Sequence, residues 1–211
     1  MKKILLTTAF ALLIVFLSSC LSTLHPIFTE KDLAYDPNIV GVWKTSGDSN
    51  SDRAVITNLA TENAVDLPGN ISSIKQKGYL ITYQRDNGTT SERYIAFLAR
   101  IGKHLYFDYY PADKKGDRKI DEFFAAHCIK MHTSYRVEFS KDGSFELSRL
   151  DESYITKLIE EKKIRINHEP KGDGGIVITA STNELQQYLI KYGDEPSAYR
   201  SEKKTFKKTT I

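Results

Sequence analysis

The sequence is short of most features that would restrict it to a special class. Its 211 residues hold only two cysteines, Cys20 and Cys128, which excludes a disulfide-stapled scaffold. Twelve glycines and six prolines exclude a collagen-like chain, and with 40% hydrophobic residues it is not wholly disordered. Neither sign of charge dominates: 30 Lys and Arg stand against 27 Asp and Glu, so no nucleic-acid partner is implied. After residue 20 no apolar run approaches the roughly twenty residues of a membrane-spanning helix, and no internal repeat is present.

What is present begins with the leader. Met1-Lys2-Lys3 is a short basic start, and Ile4 to Leu17 is apolar except for Thr7 and Thr8. As a helix this run rises about 21 Å, short of the roughly 30 Å hydrocarbon core, so residues 1–19 read as a secretory signal peptide rather than a permanent span. Leu17-Ser18-Ser19-Cys20 resembles the lipobox of bacterial lipoproteins, in which small residues admit a peptidase that cuts before an acylated cysteine. The resemblance implies lipidation at Cys20 and a membrane attachment held stably by two or three acyl chains. Leu21 is not the Asp that retains such proteins at the inner membrane, so the resemblance implies the periplasmic face of the outer membrane. With Cys20 acylated, Cys128 has no partner; its setting in Phe124-Ala125-Ala126-His127-Cys128-Ile129 predicts a buried, unreactive thiol.

The mature chain divides into a lipid-anchored tether over 20–36, one mostly-β domain over 37–199 and a polar, lysine-rich tail over 200–211 that is expected to fray. Strands are expected from Ile39, over Arg53–Leu59, Tyr79–Gln84, Ser91–Ile101 and His104–Tyr110, and in a hairpin about Lys141-Asp142-Gly143. Ser91–Ile101 is apolar on both faces and should be covered on both. In the hairpin, Thr133, Tyr135, Val137 and Phe139 should be buried, with Ser134, Arg136 and Glu138 wet. Asp151 caps a first helix with Ile155, Leu158 and Ile159 in its stripe. Ser181-Thr182-Asn183-Glu184 is a capping box for a second, which Gly193 stops. Short strands over Ile164–Asn167 and Ile176–Ala180 lie between them. The expected fold is mainly β: a small antiparallel β-barrel or half-barrel with two short helices in the C-terminal third, ahead of a two-sheet sandwich.

Asp36-Pro37-Asn38-Ile39-Val40-Gly41-Val42-Trp43 resembles the Gly-x-Trp opening of the lipocalin-like group, which implies a tryptophan closing the barrel floor. Patches spread over most of the mature chain are similar to a group of uncharacterised bacterial outer-membrane lipoproteins: His25 to Leu33, Gly102 to Asp108, His132-Thr133 and Ile178 to Gln186. That likeness implies localisation and unity of the domain, and carries no activity.

No catalytic constellation is recognisable. The chain has no Gly-x-Ser-x-Gly elbow, and Gly172-Asp173-Gly174-Gly175 leads into a strand without the ending of a phosphate loop. His127, Cys128 and His132 lack a zinc spacing, and Asp113, Asp117 and Asp121 lie among lysines without calcium-loop order, so no metal or other cofactor is expected. Binding rather than catalysis is therefore expected. Tyrosines crowd the middle strands, and Trp43, Tyr79, Tyr83, Tyr94 and Tyr106 are the candidates to line a barrel mouth for an apolar small molecule or an envelope lipid. The alternative is a protein-interaction or assembly-accessory lipoprotein without a ligand. Loss of Lys2 and Lys3 leaves 28 positive residues against 27 negative. Five of those positives and one negative lie in the tail, so residues 20–199 carry 23 against 26, and the tail is the place for a second contact with lipid headgroups.

Overall fold

The computed structural model describes residues 21–47, 53–62, 69–85, 90–112, 128–172 and 175–209. The leader, Cys20, His127 and the acidic-basic stretch 113–121 lie outside the described residues. Strands are β1 (Ser22–Thr23), β2 (Gly41–Ser46), β3 (Arg53–Asn58), β4 (Gly78–Gln84), β5 (Thr90–Ile101), β6 (His104–Pro111), β7 (His132–Phe139), β8 (Phe145–Leu150), β9 (His168–Pro170), β10 (Ile176–Ile178) and β11 (Tyr199–Lys208). Helices are α1 (Gly69–Ser72), α2 (Glu152–Glu160) and α3 (Thr182–Tyr192).

Eight strands close a barrel. β2, β3, β4, β5, β6, β7, β8 and β11 pair in that order, each antiparallel to the next, and β11 returns to β2. This is the small antiparallel barrel expected from the alternation, and closure removes the sheet edges that a half-barrel would expose. Alternate residues turn inward: Trp43, Ile56, Tyr79, Ile81, Phe107, Phe145 and Phe206 fill the interior as one cluster. Phe145 and Phe206 stack at 4.4 Å, and Trp43 meets Phe145 edge-on at 4.9 Å.

A second core lies outside the barrel wall. Ile95, Phe97, Ala99 and Tyr106, on the outward face of β5 and β6, are buried with Ile27, Phe28, Ile155, Leu185 and Leu189. β5 is thus covered on both sides, as its two apolar faces require. The caps form as expected: Asp151 Oδ1 accepts from Ser153 N–H at 2.8 Å, and Ser181 and Glu184 form the reciprocal box of α3.

Four expectations are corrected. The tail is not frayed: Tyr199–Lys208 is the closing strand, paired with both β8 and β2. Its only inward aromatic is Phe206, while the Lys204 and Lys208 ammonium groups sit over the rings of Tyr83 and Trp43, at 3.6 and 5.5 Å from the centroids. A strand that closes a barrel is selected by its free backbone donors and acceptors, and lysine stems cover apolar surface while the charge leans on an aromatic face. Gly47 serves the same closure: with φ +104°, a Cβ there would lie 2.1 Å from the Lys203 carbonyl oxygen of β11. The outward face of β7 is not wholly wet either, since His132 and Ser134 are buried. Cys128, expected inside, is exposed. The strand expected over 164–167 is displaced to β9.

Residues 21–36, expected to drape over the body as a tether, are stitched into it. β1 pairs with β7 on one side and β10 on the other. Ala34 N–H donates to Leu98 O at 2.8 Å, and the Tyr79 hydroxyl accepts from Asp36 N–H and donates to Asp36 O.

Candidate functional site

The five aromatic residues singled out for a ligand do not enclose one space. Trp43, Tyr79 and Tyr83 are buried side chains of the interior; Trp43 Nε1–H donates to Ile39 O at 2.9 Å, and the hydroxyls of Tyr83 and Tyr109 pair at 3.2 Å. Tyr94 packs at the same end against Tyr83 and Tyr109. Tyr106 faces the opposite way, into the outer core, where its hydroxyl lies 3.1 Å from that of Tyr199. Burial pushes the Tyr79, Tyr83, Tyr106 and Tyr109 hydroxyls far above the usual phenol range, as expected of rings packed in an apolar interior.

The polar convergence lies on the outer wall. On β6, Leu105, Phe107 and Tyr109 point inward, so period two turns Asp108 and Tyr110 outward. Asp108 is 1% exposed, in the middle of an otherwise aromatic strand. A buried carboxylate requires partners, and Asp108 has two. Oδ2 accepts from Ile27 N–H at 2.9 Å, and Oδ1 accepts from Nδ1–H of His132 at 2.5 Å. His132 opens β7 and is diagonal to Asp108, whose direct neighbour across the ladder is Ser134. Ser134 is also buried, and its Oγ has no hydrogen-bond partner among the described residues.

The segment Pro26–Glu30 crosses this wall as a strap. Beyond the Ile27–Asp108 bond, Thr182 Oγ1 donates to Pro26 O at 2.8 Å, and Gln186 Nε2 donates to Ile27 O at 3.0 Å and to Asp32 Oδ2 at 2.8 Å. The strap is therefore clamped between β6 and the first turn of α3. Burial works against the charge of Asp32, but the hydrogen bonds from Thr29 and Gln186 outweigh it and hold that carboxyl below its ordinary value.

Between strap and wall is a cavity of about 220 Å³. The strap lines it with Pro26, Phe28, Thr29 and Glu30, the α1 region with Ile71, Ser73 and Ile74, and the barrel with Phe97, Asp108, Tyr110 and His132. Phe28 and Phe97 pack ring to ring at 5.0 Å, and Tyr110 lies 5.1 Å from the His132 imidazole. An ionised carboxylate has no proton to donate, so His132 is the donor through Nδ1. The cavity combines apolar walls, one oriented imidazole and two carboxyl groups, which is the composition of a small-ligand site.

His132 belonged to the most metal-like cluster of the sequence, with His127 and Cys128. His132 instead engages Asp108, and among the described residues no three His, Cys, Asp or Glu side chains come together to hold a metal. Sequence reasoning missed Asp108. The available signal was a lone acid within Leu105-Tyr106-Phe107-Asp108-Tyr109-Tyr110, on a strand whose two faces are covered. No protein-family model, curated protein or solved structure matches the chain.

Proposed function

We propose that this protein is a lipid-anchored protein of the bacterial cell envelope, attached through Cys20 to the periplasmic face of the outer membrane, and that it binds a small, partly apolar molecule. The observation that carries the binding reading is the cavity between the Pro26–Glu30 strap and the barrel wall, where aromatic surface surrounds the His132–Asp108 pair. The interior offers no comparable reading, because Trp43, Tyr79, Phe107, Phe145 and Phe206 occupy it. The anchor rests on the apolar run that ends in Leu17-Ser18-Ser19-Cys20.

Native mass spectrometry of the full chain after gentle extraction tests both parts. The expected spectrum shows a diacylglyceryl mass on the mature chain and a retained small molecule that is lost when Phe97 is replaced by Asp. Cys20→Ala should move the protein out of the membrane fraction, and continued fractionation with membranes refutes the anchor. The filled interior favours a second reading, a protein-interaction lipoprotein, which predicts an acylated chain without a small ligand that co-extracts with an envelope protein.

A further inference from the structure

The chain enters the fold one residue after its anchor. Resting on the anchor proposed above, we infer that the domain has no spacer and is seated directly on lipid headgroups, with the turn between β9 and β10 against the bilayer surface. Leu21, the residue joined to Cys20, is 2% exposed and belongs to the outer core with Ile155 and Ile178. Ser22 is paired on both sides, with Thr133 of β7 and Val177 of β10, and Leu24 N–H donates to Ile178 O at 2.8 Å. A segment held by two ladders and a buried leucine cannot lengthen into a tether without giving up both. A flexible tether over residues 20–36 would hold the domain on the order of 20–25 Å from its lipid. Instead, one Cα step of about 3.8 Å separates Cys20 from backbone that is fixed in the fold. The acyl esters of a diacylglyceryl thioether lie at the hydrocarbon boundary, and a headgroup layer is roughly 5–8 Å thick. One cysteine side chain and its glyceryl carbons span that layer, which leaves Leu21 at its outer limit.

Strand direction selects the surface that meets the lipid. β1 and β10 run parallel, so the chain preceding Ser22 and the chain preceding Val177 leave the sheet at the same end. β9 runs antiparallel beside β10, with Pro170 opposite Ile176 and Lys171 N–H donating to Gly175 O at 2.7 Å. That turn therefore stands at the level of Leu21, two strand spacings or roughly 10 Å away. The buried ion pair behind it is matched: the Glu152 carboxylate accepts from Lys171 Nζ and from Ile176 N–H, each at 2.8 Å, so this pair brings no unmatched charge to a surface of lower dielectric. The covalent anchor, rather than charge, sets the contact. Pro26 follows Leu21 by five residues and so lies within about 18 Å of it even at full extension, which places the cavity that Pro26 lines close to the lipid surface.

The test reconstitutes the full lipidated chain, carrying Cys128→Ser, in vesicles of phosphatidylethanolamine and phosphatidylglycerol whose headgroups bear a nitroxide. A fluorophore is attached at Gly172→Cys, where an added Cβ meets nothing within 4 Å, or at Thr82→Cys on β4, which lies opposite β8 in the order of the closed barrel. The headgroup nitroxide should quench the label at 172 and not the label at 82, equally in high salt and in vesicles without phosphatidylglycerol. Inserting about fifteen Gly and Ser residues between Cys20 and Leu21, a reach of roughly 19–23 Å, should abolish quenching at 172 while Trp43 fluorescence and urea unfolding stay as in the parent. On the acylated chain, a label at 172 that stays unquenched, is released by salt or remains quenched despite the insert overturns the seating and leaves the anchor standing. Equal quenching at 172 and 82 overturns the assigned face. A chain that lacks the diacylglyceryl mass and does not associate with vesicles overturns the anchor and the seating together.

Discussion

Replacing Asp108 by Ala removes the acceptor of two donors at once, the Ile27 amide at 2.9 Å and the His132 ring at 2.5 Å, in a place where the carboxylate is 1% exposed. Each buried donor left without a partner costs about 1–3 kcal/mol, and breaking a buried charged pair from one side costs about 3–5 kcal/mol, so the variant should lose about 3–5 kcal/mol. That is a large share of the roughly 5–15 kcal/mol by which a domain is stable. The loss should also have an address. The strap keeps its Thr182 and Gln186 contacts to α3, but its bond to β6 is gone, so the Ile27 amide should exchange with solvent about a hundredfold faster, the equivalent of about 3 kcal/mol of local protection. Asp108→Asn offers one acceptor oxygen to two donors and should fall between, at about 1–3 kcal/mol. Urea unfolding followed through Trp43, the only tryptophan, gives the global term, and amide exchange at Ile27 gives the local one. An Asp108→Ala chain within 1 kcal/mol of the parent, with Ile27 exchanging at the parental rate, would refute the role assigned to this carboxylate.

The closing strand makes a second expectation: Phe206→Ala should cost about 3–5 kcal/mol in urea unfolding, because Phe206 is fully buried and stacked on Phe145, whereas a frayed tail predicts a change within about 0.5 kcal/mol. The buried tyrosines make a third. Burial raises the pKa of Tyr79, Tyr83, Tyr106, Tyr109, Tyr188 and Tyr199, so the folded chain holds protons that the unfolded chain releases near pH 10. Their contribution to stability is intact below about pH 10 and is lost as the pH rises towards the folded values. Absorbance titration should show tyrosinate from these six appearing in one step with unfolding. Gradual titration of all twelve tyrosines near pH 10, with the fold retained, contradicts it.

Local signals were legible where one element carries its own instructions. Asp151 and Ser181 mark the starts of α2 and α3, alternation marks β4 and β7, and the Gly102-Lys103 turn marks the start of β6. The site was not legible in the same way. Asp108 and His132 are 24 residues apart, and Ile27 is 81 residues from Asp108, separations that only the β6–β7 ladder and the strap bring within a hydrogen bond. The wet face assigned to Ser134 was a sound reading of a two-sided strand; it failed because the N-terminal segment and α3 supply a second layer outside the barrel.

By itself, then, the order of residues determined the strands, the caps and a mainly β barrel, because periodicity and capping act over a few residues and need no distant partner. Tertiary structure alone decided that Tyr199–Lys208 closes the barrel, because a polar strand is chosen by unpaired backbone on its two neighbours rather than by its side chains. It alone also moved the candidate site from the inside of the barrel to the outside. Interior aromatic rings pack against one another, whereas the strap spans the wall at a height set by one buried carboxylate and leaves a cavity beneath it.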